Sequence, residues 1–177
     1  LARRLCAAKG IRWARQSALV GLMGLWLTPI YAQTLGATVA TRIVADRSAP
    51  QTQQPTVLNA SNGVPQVNVQ TPSAAGVSRN TYSQFDIGGT GAILNNSRTA
   101  VLSQLGGWVL GNPWLTTGSA RVILNEVNSA NASQLHGYLE VAGPRTEVVV
   151  ANPAGIAVNG GGFINASRVT LTTGVPV

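Results

Sequence analysis

Short apolar runs separated by Gly, Asn and Pro set the rhythm of this chain. From Tyr82 onward "GAILNNS", "AVLSQLGGWVLGNP", "SARVILNEVNS", "GYLEVAG", "TEVVVANP", "GIAVNG", "GFINAS" and "RVTLTTG" follow one another. Each holds a few β-favouring residues closed by a turn former, and nowhere does apolar i, i+3, i+4 spacing persist for the length of a helix. Strands of a sandwich usually run to about 5 or 6 residues and need tight hairpins. Shorter runs with brief connections predict stacked parallel coils instead, an all-β solenoid with no helix longer than about three turns. The preceding stretch, residues 33–80, carries Pro50, Pro55, Pro65 and Pro72. Within it "PQVNVQTP" sets Val67 and Val69 against Asn68 and Gln70, the period of a half-buried strand that its prolines bound or place at an edge.

In such a coil the inward positions are small or branched apolar residues. "VVVANPAGIAVNGGGFINASRVTLTTG", from Val148 to Gly174, then predicts Val148, Val150, Ile156, Val158, Ile164, Val169 and Leu171 inside. Asn152, residues 159–162, Asn165 and Gly174 fall at the corners, because Asn and Gly tolerate the left-handed region. "RVILN" at Arg121 returns as "RVTLT" at Arg168, and "NAS" occurs at Asn59, Asn131 and Asn165, weak echoes that fit stacked corners better than glycosylation acceptors. A chain of 177 residues suits one domain with a real core.

Charge changes the picture at the front of the chain. Arg3, Arg4, Lys9, Arg12 and Arg15 precede an apolar run from Ala18 to Leu27, a break at Thr28-Pro29, and the small Ala32. This is the layout of a secretory signal peptide over residues 1–32, cut between Ala32 and Gln33; a membrane-spanning segment would need about 20 apolar residues. The formal +7 therefore belongs mostly to the leader. Behind it, single scattered arginines face five acids, which argues against a nucleic-acid partner. Cys6 departs with the leader, leaving no thiol chemistry, and Leu1 in place of Met suggests a start farther upstream.

Candidate chemistry is sparse. No nucleophile elbow, phosphate loop or zinc-protease motif occurs, and His136 before Gly137 reads as an exposed turn residue. Glu140 and Glu147 read as ordinary solvated carboxylates. A solenoid that cleaves polysaccharides would need clustered carboxylates or a Ca²⁺ site, so no catalysis, metal or cofactor is expected. A stand-alone adhesin or carbohydrate-binding solenoid would show an aromatic ladder, for which Trp108, Trp114, Tyr138 and Phe163 are the few candidates. Asn152-Pro153-Ala154-Gly155 has the composition of a type I turn, with the Asn152 side chain expected to bond nearby backbone.

"LGNPWLTTGSARVILNEVNSANASQLHGYLEVAG" followed by "VVVANPAGIAVNGGGFINASRVTLTTG" closely resembles the N-terminal secretion domain of two-partner-secretion exoproteins, the filamentous haemagglutinin and contact-dependent inhibition group. The likeness extends over "PTVLNASNGVPQVNVQTPSAAGVSRNTYSQFDI" and "GAILNNSR". That family carries N-P-N-L and N-P-N-G motifs. Asn112, Pro113 and Leu115 match the first, with Trp114 for its second Asn; Asn152, Pro153 and Gly155 match the second, with Ala154 there. Where many relatives have a cysteine pair, this chain has Val158 and Gly161. The resemblance implies a right-handed parallel β-helix over residues 33–177, truncated relative to the usual domain. It implies a non-catalytic guide that takes a large exoprotein of a Gram-negative bacterium through the general secretory machinery, the periplasm, and a dedicated outer-membrane transporter. The downstream adhesin, haemagglutinin or toxin would then meet host or neighbouring cells. Trp114 is read either as a cap on the core or as an aromatic anchor for the transporter's periplasmic domains.

Overall fold

Residues 38–176 are described by the computed structural model; the predicted leader and its cut between Ala32 and Gln33 lie outside them. Each short apolar run becomes a strand, and each Gly, Asn or Pro cluster a corner. The strands are β1 (Arg42–Ala45), β2 (Thr56–Asn59), β3 (Pro65–Asn68), β4 (Val77–Asp86), β5 (Ala92–Asn95), β6 (Val101–Ser103) and β7 (Gly107–Val109). They continue as β8 (Val122–Val127), β9 (Ser133–Leu135), β10 (Tyr138–Ala142), β11 (Thr146–Ala151), β12 (Ile156–Val158), β13 (Gly162–Ile164) and β14 (Ala166–Thr172). The one helical element among the described residues is a 3-10 turn at Gln51–Gln53.

Parallel pairing stacks these strands into three faces: β4-β8-β11-β14, β3-β5-β10-β13, and β9-β12, the last extended by a bridge from Ile87 to Leu135. One coil thus reads β10, β11, β12, and the fold is an all-β parallel β-helix. At its start β1 lies antiparallel on β4 and β2 antiparallel on β3. The main core is built from rows such as Ile123-Val148 and Val67-Leu94-Val141. Coils approach so closely that a Cβ at Gly137 would stand 1.8 Å from the Gly88 carbonyl oxygen, so only glycine fits there.

Several expectations change in the structure. β3 is an interior strand, and β2 holds the edge. Gln66, Asn68 and Gln70 are buried along with Val67 and Val69: the β6-β7 excursion folds over the outer side of that sheet, where Asn95 links Asn68 to Leu110 O, and the Gln70 amide is held by Gln54 O. Under the excursion a second small core forms from Ile93, Val109 and Ala142. Val148 and Val150 are fully buried, whereas Ile156, Ile164 and Val169 are half-buried and Val158 and Leu171 are exposed. Val158, Val169 and Leu171 do stack in register, on Leu135, Val148 and Val150, but no described strand lies above this last coil. Ile164 does not face the core: Phe163, over Leu139, packs there, while Ile164 lies over Glu140, and one residue along a strand inverts the face. The "RVILN"/"RVTLT" echo is likewise out by one. Val169 stands above Ile123 through Val148, after a register shift between Thr146 and Glu147.

Asn152 and Asn165 turn corners as expected, Asn165 in the left-handed region, but most asparagines also serve a second purpose. Only Asn165 has a positive φ (59°) among the described non-glycine residues. Asn80, Asn95, Asn96, Asn125 and Asn152 are fully buried. Their amides reach peptide groups of neighbouring coils: Asn96 Nδ2 donates to Ala120 O at 3.0 Å and its Oδ1 accepts from Ala120 N–H at 2.7 Å. Asn96 and Asn152 do this at buried corners, which lack the ladder partners of a strand, whereas Asn80, Asn95 and Asn125 do it from within β4, β5 and β8; a side-chain amide supplies both a donor and an acceptor.

Candidate functional site

The first Asn-Pro motif closes the neck of the hairpin excursion. Asn112 N–H donates to Ser97 O at 2.7 Å, bringing the chain back to where it left the coil. The buried Asn112 side chain donates through Nδ2 to Val69 O and Asn95 O, at 2.8 and 2.9 Å. Its Oδ1 accepts from Trp114 N–H at 3.0 Å, folding the chain over Pro113. Leu115, 1% exposed, plugs the main core. Pro113 and Trp114 face outward. Trp114 is 43% exposed and its indole N–H donates to Thr56 Oγ1 at 3.0 Å, so it does not cap the core.

The second motif repeats this construction at another corner, between β11 and β12. Asn152 Oδ1 accepts from Ala154 N–H at 2.9 Å, and Gly155 N–H donates to Asn152 O at 3.0 Å. Nδ2 donates to Asn131 O and Ser133 Oγ, both at 2.9 Å. The positive φ falls on Gly155 (118°) and not on Ala154, as a type I turn requires. Pro153 and Ala154 are exposed. The two turns share no hydrogen-bond partner, so the structure does not bring them into one site.

Between the motifs in sequence lies a feature that sequence reasoning missed. Glu140, 4% exposed, is not a solvated carboxylate. It points from β10 into the β6-β7 turn, where Gln104 N–H donates to Oε1 at 2.7 Å. Leu105 N–H and Ser103 Oγ–H donate to Oε2 at 2.8 and 2.7 Å. The hairpin so anchored carries the opposed pair Leu102 and Trp108 on its outer side, 65% and 70% exposed, and Leu110 beyond them at 79%. The Gly106-Gly107 pair inside "AVLSQLGGWVLGNP" was the available turn signal.

The remaining carboxylates and the Tyr82 phenol bond within the fold. Glu126 pairs with Arg79 and Glu147 with Arg168, at 2.7 and 2.8 Å. Asp86 accepts from Gln134 N–H at 2.9 Å and from the Gln84 amide. The Ser48 hydroxyl and N–H, at 2.7 and 2.8 Å, hold the Asp46 carboxyl below the ordinary aspartate value, against a weaker upward push from burial. Burial pushes the Tyr82 phenol up, and its O–H donates to Asn125 Oδ1 at 3.0 Å. His136 is half-buried between β9 and β10, its N–H donating to Ile87 O, and so is not the exposed turn residue anticipated. Each of the five carboxylates accepts from its own chain, and among the described residues no three His, Cys, Asp or Glu side chains gather as metal ligands. Of the four aromatic candidates, Trp108, Trp114 and Tyr138 are exposed and Phe163 packs on the core.

The described residues form a parallel β-helix with two Asn-Pro turns held from inside by their asparagines, and comparison with known proteins gives its family. The family model for the TPS secretion domain matches residues 41–177, and the chain belongs to that family. It is 58% identical over 160 residues to a toxin CdiA of Yersinia pestis, covering 90% of this chain and 5% of that protein. It is 45% identical over 163 residues to a tRNA nuclease CdiA-2 of Burkholderia pseudomallei (strain 1026b), covering 92% of this chain and again 5% of the relative. Among solved structures, the crystal structure of a filamentous hemagglutinin secretion domain matches with a TM-score of 0.69 and 41% identity, over 76% of this chain and 43% of that one. The chain thus spans about a twentieth of the length of these curated relatives.

Proposed function

We propose that residues 33–177 form the secretion signal of a large exoprotein, an adhesin, haemagglutinin or contact-dependent inhibition toxin, and carry no catalysis of their own. The observation that carries this reading is that one segment is shared by a protein named as a tRNA nuclease and another named as a filamentous hemagglutinin secretion domain. What they share is therefore tied to neither name's activity. Its carboxylates are spent on internal bonds, which supports the absence of acid or base chemistry.

In this reading the leader enters the general secretory machinery and is cut between Ala32 and Gln33. The domain then meets the periplasmic domains of a two-partner outer-membrane transporter, and the passenger reaches the surface or medium of a Gram-negative bacterium to engage host or neighbouring cells. The two turns divide the work. Asn112 and Asn152 hold their corners from inside, while Trp114, beside Pro113, offers an exposed ring as a recognition element. An aromatic anchor of this kind contributes on the order of 2 kcal/mol to an interface.

The test is the affinity of the chain for the transporter's periplasmic domains, measured by calorimetry alongside thermal unfolding. Wild type is expected to bind. Trp114→Ala should weaken binding about 30-fold at unchanged thermal stability, that being the factor 2 kcal/mol corresponds to. Unchanged affinity of a folded Trp114→Ala chain would remove the recognition role, and absence of wild-type binding would remove the reading.

A further inference from the structure

Among the described residues, the first coil leaves one strand edge without a partner strand. Ala60 N–H donates to Val64 O at 2.8 Å, which makes Ala60-Val64 a hydrogen-bonded pair of the antiparallel β2-β3 ladder. Such pairs alternate with non-bonded ones, so Leu58-Gln66 and Thr56-Asn68 are bonded. Val57 and Asn59 are not: their N–H and C=O groups point away from β3. Pro65, opposite Asn59, agrees with this assignment, having no N–H to give. Among the described residues no strand pairs with this outer edge of β2.

The neighbouring edge shows what protection looks like. β1 carries Arg42 and a register shift between Val44 and Ala45, two devices that discourage a further strand. β2 reads Thr56-Val57-Leu58-Asn59, without charge or bulge, and Leu58 is 38% exposed. Beside it opens a groove of about 420 Å³, lined by Arg47, Thr52, Pro55, Val57, Thr71 and Trp114. The Trp114 that the first Asn-Pro turn holds outward therefore forms one wall of a groove that meets the outer edge of β2 at its start, at Thr56 and Val57.

Charge narrows the occupant further. All five carboxylates accept bonds within the chain, whereas Arg47 in the groove has no acidic partner among the described residues. We propose that the free edge of β2 receives an extended, acidic segment of the transporter's periplasmic domains as an added strand, with Val57 and Asn59 bonding its main chain, Arg47 its carboxylate and Trp114 an apolar side chain. Main-chain bonds supply a docking register for which a saccharide has no counterpart, and uncompensated Arg47 supplies the sign. This rests on the secretion reading.

The experiment is hydrogen exchange resolved at single amides in the full chain, alone and with the transporter's periplasmic domains. Val57 and Asn59 are expected to exchange fast in the free chain and to become protected in the complex, with Leu58 protected in both. Arg47→Glu should weaken binding at least about tenfold, and binding should fall with added salt. Asn59→Pro, which removes an outward donor and leaves the bonded pairs intact, should weaken it as well. Binding with both amides still exchanging freely overturns the proposal, whether or not the proline variant folds. Protection that grows with the chain's own concentration, before any transporter is added, also overturns it by making a second copy the occupant. Failure of the wild-type chain to bind at all instead overturns the secretion reading beneath it.

Discussion

Asn112 and Asn152 use both ends of the side-chain amide inside the fold, so truncation leaves several buried peptide groups without partners. Asn112→Ala orphans Val69 O, Asn95 O and Trp114 N–H, and should cost about 2–3 kcal/mol in urea unfolding. A cost below about 0.5 kcal/mol would mean that water replaces the amide and the turn is held by other means. The Asn-Pro-x-Gly composition of the second motif was enough to expect its turn and the bond from Asn152 to nearby backbone. The burial of the side chain was not, because its other partners, Asn131 and Ser133, lie 21 and 19 residues away. Asp46 gives a pH signature. Its carboxyl is held below the ordinary value, so its contribution is present above the aspartate range and is lost as pH falls through the lowered folded value. Ser48→Ala removes the largest cause. It should lower stability at neutral pH and make no difference in strong acid, where the carboxyl is protonated in both chains. An equal deficit at both pH values would assign the effect to packing instead.

Among the elements, the hairpin excursion is the one that composition left unread. Its run alternates like any coil strand, and its anchor, Glu140, bonds residues 35 to 37 positions earlier, a separation that no local pattern reports. Glu140→Ala should free Gln104 and Leu105 amides for rapid exchange while β8, β11 and the main core keep their protection. If protection is lost throughout the chain, the hairpin is part of the cooperative unit and not a docked accessory. Coil strands were legible because their inward rows repeat. Val148 and Val150 fall in them, whereas Ile164 was misplaced because "GFINAS" offers two adjacent large apolar residues and only stacking on Leu139 selects Phe163.

Among the described coils, burial is graded from β11, paired on both sides, to β14, which no described strand covers. Val148→Asp puts a charge among fully buried neighbours and should cost upward of about 4 kcal/mol, whereas Leu171→Asp on the last coil should cost less than about 1 kcal/mol. Equal effects in denaturant titrations would contradict the stacking register. The rhythm of short runs was enough to expect a solenoid, since each coil must bury the face of the one before it. The capping by antiparallel β1 and β2 was not, since nothing in "RIVA" or "TVLN" encodes direction. The central claim is that this β-helix, without catalytic groups, directs export. Its most direct test joins residues 1–177 to a reporter and measures reporter in the medium of a Gram-negative host, with and without the partner transporter. Reporter should reach the medium only when both chain and transporter are present. Release without the transporter, or retention in the periplasm despite it, would contradict the account.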